Sequence, residues 1–214
     1  MDANQLIDGL IFYIGLLVLL TFHEYGHAWM ALRCGDDTAK LQGRCSLNPL
    51  VHIDPIGTVL LPLLMIFLPG AGRFLVGWAK PVPVNPYNLR NPNRDQILVA
   101  MAGPAMNVLL AIVLLGLARV FELVNVPGAV GLLAQMAYLS LLLCFFNLIP
   151  IPPLDGSYVM RQLTGMSHET YHRLAQYGFI ILIVVLQIPI VRRLLAGLTH
   201  VSWAAIATVF GLGS

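Results

Sequence analysis

Apolar and polar positions fall into long blocks along this chain, without the alternation of a half-buried strand. Leu10 to Leu32 is apolar almost throughout; as a helix it would rise about 35 Å, enough to cross a hydrocarbon core of roughly 30 Å. Gln96 to Val120 and Val130 to Ile149 are also long enough to span, whereas Tyr171 to Ile190 and Leu194 to Leu212 are weaker blocks separated by Pro189 and the pair Arg192, Arg193. The remaining apolar stretch, "PIGTVLLPLLMIFLPG" from Pro55 to Gly70, is short for a span and carries Pro62 inside it. That pattern suits a segment that enters and leaves on one face. It predicts helices over about 10–33, 96–120 and 130–149, a re-entrant segment over about 55–69, and one or two further helices within 157–214.

Composition agrees with this pattern. Hydrophobic residues make up 58% of the 214 and charged residues only 10%, with a mean hydropathy of +0.80. The fold class is therefore an all-α polytopic membrane protein, a single membrane domain over 1–214 in a lipid bilayer. The formal charge of +2 comes from 12 basic and 10 acidic residues spread along the loops, so no basic stripe exists to bind nucleic acid. Cys34, Cys45 and Cys144 have no CxxC spacing and read as small apolar residues. "MDANQ" lacks the positive start of a secretory signal, so the first apolar block is expected to be retained. The proline-rich "WAKPVPV", Trp78 to Val84, reads as a short extended stretch suited to an edge and not to a central strand.

Ionisable residues at membrane depth call for a functional reason, and "TFHEYGH", towards the carboxyl end of the first apolar block, supplies them. His23 and His27, four residues apart, share one helical face and can offer imidazole nitrogen to a single metal, with Glu24 beside them placed to take a proton. The competing reading is a polar patch that bonds neighbouring helices. A catalytic zinc site needs a third protein ligand and an open position. The best candidate is Asp155 in "NLIPIPPLDG", where Pro150, Pro152 and Pro153 prevent a regular helix and Gly156 permits a tight turn. Alternatively, Asp155 caps the following helix. His52 suits a further metal contact, a gate or a structural role, and His168, His172 and His200 lack partners at ligand spacing.

"HEYGH" together with "NLIPIPPLDG" resembles the site-2 protease family of intramembrane zinc metallopeptidases, in its compact bacterial form without a PDZ domain. "AGPAMN", Ala102 to Asn107, is similar to that family's middle core helix, and "GWAKPVPVNP" to one of its loops. The resemblance implies a three-helix catalytic core within 6–156, one Zn2+ per chain on His23, His27 and Asp155, Glu24 as general base, and Asn147 as the oxyanion donor. The implied reaction is hydrolysis of peptide bonds in a membrane-spanning protein substrate within or near the bilayer. Residues 157–214 match no part of that pattern.

Metal sharing makes a topological demand. His23, His27 and Asp155 can meet only if the first and third long blocks end near one membrane face, which requires 55–69 to be re-entrant. Loop charges test this independently, since Lys and Arg concentrate on the cytoplasmic side. A spanning segment would leave six basic residues on each face. A re-entrant one leaves nine on the face after the first helix against Arg119, Arg192 and Arg193 opposite. That count favours re-entry, an outside amino terminus and a site nearer the cytoplasmic face of a bacterial cell membrane.

Substrate contacts are expected from Trp78 and Val82 by strand addition, unless that stretch is a plain surface loop. Asn107 is a further candidate, although packing beside Ala102, Gly103 and Ala105 suits it equally. No stretch between the motifs has room for an accessory domain, so substrate choice falls to the membrane core, a homo-oligomer or a regulatory membrane partner. Two other classes fit the same residues: a non-proteolytic zinc-binding membrane protein such as a metal transporter, and a purely structural membrane subunit. Transport would favour repeated halves around a midplane site, and no repeat is visible. Glu24 beside the histidines favours hydrolysis over both.

Overall fold

The computed structural model describes residues 3–63 and 78–212. The distal part of the expected re-entrant segment, 64–69, lies outside the described residues. The α-helices that lie wholly within the described residues are, in order, α1 (Ala3–Arg33), α2 (Thr38–Leu41), α3 (Pro92–Leu123), α4 (Pro127–Asn147), α5 (Asp155–Thr164), α6 (His168–Gln187) and α7 (Pro189–Val209). Single turns of tighter or wider helix lie at Pro49–His52, Pro55–Leu60 and Pro86–Asn88. No strand occurs among the described residues. The protein is a multi-pass membrane protein: α1, α3 and α4 are each long and apolar enough to cross. The pair α6 and α7, bent by 83° at the break where Pro189 opens α7, passes the same test together.

The chain divides into two compact units, Met1–Arg90 and Asn91–Ser214. In the first, α1 ends before Gly35, whose φ of +106° is a conformation that side chains with a Cβ avoid. The chain then leaves α1 and comes back to it. Tyr13 donates to the carbonyl of Thr58 at 2.8 Å, so the π-helical turn Pro55–Leu60 lies beside the amino-terminal half of α1. Twelve residues beyond Trp78, the Arg90 N–H donates to the carbonyl of Cys34 at 3.0 Å. Residues 34–90 therefore begin and end at the carboxyl end of α1.

Asp36 fastens the returning chain. Its carboxylate is fully buried and accepts the N–H of Asn85 at 2.7 Å, the Asn88 amide at 3.1 Å, and both the N–H and the hydroxyl of Thr38. Burial alone would raise this carboxyl. The donors from Thr38, Asn85 and Asn88 outweigh it and hold the group below its ordinary value.

The second unit is built on α3 and α4, joined by a turn in which Asn125 takes a positive φ of 57°. α3 begins at Pro92, a residue suited to the first helical turn, and Asp95 accepts the N–H of Asn91 at 2.8 Å. Its core is Ala111, Leu115, Ala137, Leu141 and Ala207, the last from α7. Lipid tails are as apolar as leucine, so close packing and interhelical hydrogen bonds hold such helices together. The alanines permit that approach, Ser140 Oγ donates to the Asn107 carbonyl at 2.7 Å, and Trp203 Nε1 donates to the Ala134 carbonyl at 3.1 Å. Among the small residues of "AGPAMN", Ala102 and Gly103 are buried but Ala105 is exposed; two residues of helix, about 200°, turn it away from Gly103.

Asp36→Asn should destabilise the protein by about 2 kcal/mol at neutral pH, since charged-acceptor hydrogen bonds are lost inside a buried site. With a depressed folded pKa, the contribution of Asp36 is complete above about pH 4 and is lost as pH falls through the lower folded value. Thermal unfolding of both proteins in detergent from pH 7 to pH 3 should show a gap that closes only at the acid end.

Candidate metal centre

The HExxH residues lie two-thirds of the way along α1, and helical periodicity puts both histidines on its buried side. His23 and His27 are 4% and 7% exposed. Their Nε2 atoms are 3.1 Å apart and the rings meet edge to face at 84°. Two nitrogens bound at about 2.0–2.1 Å to one tetrahedral ion would lie about 3.3 Å apart. The pair thus has the spacing of two ligands of one zinc. The donor chemistry fits as well, because two neutral imidazoles and a carboxylate form a common catalytic zinc set.

Glu24 is half-buried, and its Oε2 accepts the N–H of Val82 at 3.0 Å. That contact crosses from α1 to the extended stretch, which is itself tied down at alternate residues. Trp78 donates its N–H to the Gly57 carbonyl at 3.2 Å and Lys80 to the His52 carbonyl at 2.9 Å. The Trp78 carbonyl accepts the Thr58 hydroxyl at 2.7 Å. Donors 78, 80 and 82 therefore all point to one side, as the period of two in an extended chain requires. On the other edge, Pro81 and Pro83 have no N–H to offer, and Ala79 has one. The Trp78 ring lies on Gly57 so closely that a Cβ there would fall 2.5 Å from its atoms.

His52 is buried and its Nε2 lies 2.8 Å from the Ser46 carbonyl. The carbonyl can only accept, so Nε2 carries the proton. This histidine joins two loop turns of the first unit, and its backbone carbonyl anchors Lys80.

In the second unit, α4 ends at Asn147 and α5 begins at Asp155, with the three prolines between them. Asp155 is the first residue of α5 and Leu154 is its N-cap, with no side chain capping the helix there. The capping alternative for Asp155 is therefore not what is seen. Gly156 also differs from expectation, because it lies inside α5 and not in a turn. A Cβ at this position would be 2.2 Å from the carbonyl oxygen and 2.5 Å from the carbonyl carbon of Leu148. The glycine permits close approach of two backbones, which seats Asp155 against the end of α4. Asn147 donates from Nδ2 to the Leu143 carbonyl at 2.9 Å, leaving the second amide hydrogen for another acceptor. Asn107 is fully buried where α3 meets α4.

Sequence reasoning identified Val82 for substrate contact but missed its bond to Glu24, and it missed the reasons for Gly57 and Gly156. No local signal marks such contacts, since the partners of Val82 and Gly57 are distant in sequence. Gly156→Ala should lower the thermal midpoint in detergent by several degrees, because backbone atoms must move to admit the methyl group. Gly165→Ala, whose added Cβ would meet nothing within 4 Å but which has a φ of +65°, should cost only the smaller backbone strain.

The model of Peptidase family M50 matches residues 11–135 and 122–187. "Putative zinc metalloprotease YwhC" of Bacillus subtilis is 38% identical over 185 residues, covering 83% of this chain and 80% of that protein. "Putative zinc metalloprotease Rip2" of Mycolicibacterium smegmatis is 36% identical over 183 residues, covering 84% of this chain and 67% of its own. The archaeal "Zinc metalloprotease MJ0392" of Methanocaldococcus jannaschii is 28% identical over 165 residues, 77% of this chain and 38% of that protein. No solved structure matches. With its HExxH histidines at ligand spacing on a membrane helix, and with matches of this extent, the chain belongs to peptidase family M50.

Proposed function

We propose that this zinc metallopeptidase is an intramembrane endopeptidase, cleaving membrane-spanning protein substrates within or near the bilayer. The observation that carries the reading is the buried pair of imidazole nitrogens 3.1 Å apart, beside a glutamate fixed by a main-chain N–H, on a helix apolar enough to span. His23, His27 and Asp155 would hold one Zn2+ per chain. When bound, that ion supplies a Lewis acid for the scissile carbonyl and the attacking water.

The other steps fall to side chains and backbone. Glu24 accepts the proton of the attacking water and returns it to the leaving amine, as the residue adjacent to two ligands is placed to do. The Val82 N–H holds Oε2 and leaves Oε1 for the proton. Asn147 donates its remaining amide hydrogen to the developing oxyanion. A helical substrate must be unwound before its peptide bonds are exposed, and an extended stretch along 78–83 can bind it by strand addition. Since Val82 already donates to Glu24, main-chain bonds would come from the opposite edge, from the carbonyls of Ala79, Pro81 and Pro83 and the one Ala79 N–H. Trp78, 40% exposed, would flank the substrate's apolar side chains, and Asn107 would act through packing. The return of residue 90 to the carboxyl end of α1, together with the nine basic residues that a re-entrant segment would leave on that face, supports an outside amino terminus and a site nearer the cytoplasm of a bacterial cell.

Purified in detergent, wild type and Glu24→Gln should each hold about one zinc per chain by elemental analysis. Only wild type should cleave members of a panel of single-span substrates, with the variant reduced by at least a hundredfold. Zinc in both without cleavage by either would favour a metal-binding role without proteolysis, and absence of zinc from folded wild type would remove the ligand assignment. Val82→Pro keeps an extended backbone, which the following proline already imposes, but deletes the donor to Glu24. It should retain zinc and lose about tenfold in kcat, with KM changed less.

A further inference from the structure

Residues after Asp155 carry no recognised motif, yet α6 grips the segment that bears it from both sides. Before Asp155, Gly178 of α6 presses on Pro152: a Cβ on this glycine would lie 2.2 Å from the Pro152 carbonyl oxygen and 2.8 Å from its carbonyl carbon. Pro152 is fully buried, and so is the glycine side of the contact. After Asp155, the hydroxyls of Ser157 and Tyr171 are 2.9 Å apart. Ser157 spends its single proton on the Leu154 carbonyl at 2.6 Å, so Tyr171 donates to Ser157. This relay starts on α6 and ends on the peptide bond that joins Leu154 to Asp155.

The two grips belong to one face, since seven residues bring an α-helix back to nearly the same direction. A third contact reinforces them. The Arg161 guanidinium of α5 lies over the Tyr171 ring, 5.6 Å from its centroid, with Nη2 3.0 Å from His168 Nε2 at the start of α6.

We propose that α6 is a positioning element for Asp155, with Gly178 and Tyr171 as its positioning residues. The inference rests on Asp155 being a metal ligand. Asp155 opens α5 with three prolines and no helix directly before it, so contacts on the residues before and after it help to set its direction. Gly178 fixes the entry to the turn through Pro152, and Tyr171 fixes the exit through Ser157. Supporting partners of this kind are worth about 10–100-fold in metal affinity.

Full-length wild type, Gly178→Ala, Tyr171→Phe and the control Gly197→Ala would be loaded with zinc in detergent. Gly197 is an exposed position of α7, where an added Cβ meets nothing within 4 Å. Two readouts are needed: the rate of zinc loss to excess chelator, and the rise in thermal midpoint that zinc confers over the same metal-free protein. Gly178→Ala should lose zinc about tenfold faster, with a smaller zinc-dependent rise. Tyr171→Phe should show the same change to a lesser degree, and Gly197→Ala should match wild type. A variant whose metal-free midpoint falls while its zinc loss and zinc-dependent rise stay at wild-type values would overturn the proposal, because α6 would then support the fold alone. Should Gly178→Ala fail to fold, Tyr171→Phe decides, since it keeps the ring under Arg161. Folded wild type that binds no zinc would instead sink the assignment of Asp155 itself.

Discussion

A main-chain N–H without a partner costs several kcal/mol where no water can reach it, and this constraint shapes the first unit of the protein. An extended stretch beside a membrane helix exposes a row of such groups. Here Trp78, Lys80 and Val82 spend theirs on Gly57, His52 and Glu24, while prolines at 81 and 83 remove the next two donors on the other edge. The prolines that argued against a regular strand are thus what makes an irregular one tolerable. One of the three acceptors is the Glu24 carboxylate between His23 and His27, so the same hydrogen bond satisfies the backbone and aims the glutamate.

Much of this was legible in the residues, and the division has a physical basis. Block length and the 3.6-residue period are local, so the apolar runs gave the helices, and the spacing of His23 and His27 gave their shared face. Helix ends were less well defined: α3 starts at Pro92, four residues before the apolar run, because proline and Asp95 suit a first turn whatever its hydropathy. Re-entry was derived from charge counts and from the demands of the metal; the described residues show only that Arg90 bonds Cys34 at the end of α1. The direction of Ala105, by contrast, depends on which side of α3 faces protein and which faces lipid. Both sides are apolar, so composition cannot tell them apart.

What the residues could not reveal are the close approaches. Gly57, Gly156 and Gly178 are each defined by what a single methyl group would strike: an indole ring, the end of α4, or the Pro152 carbonyl. Such information lives in the pairing of distant segments. A glycine in a helix costs about 1 kcal/mol relative to alanine, so one buried at a backbone contact marks where tight packing outweighs propensity.

The contrast between the two kinds of proposed ligand explains where Gly156 and Gly178 fall. His23 and His27 need little help, because an α-helix already holds residues four apart on one face and fixes their relative spacing. Asp155 has no such guide, since the chain before it is kept from helix by three prolines and its rotamer alone cannot set its place. Precision at that position has to come from backbone packed on backbone, at Leu148 through Gly156 and at Pro152 through Gly178. Steric contact of this kind is stiff and adds no polar group that would compete for a metal or trap water. The relay from Tyr171 through Ser157 ends on the carbonyl of Leu154 and so steadies the backbone at the peptide bond that leads into Asp155.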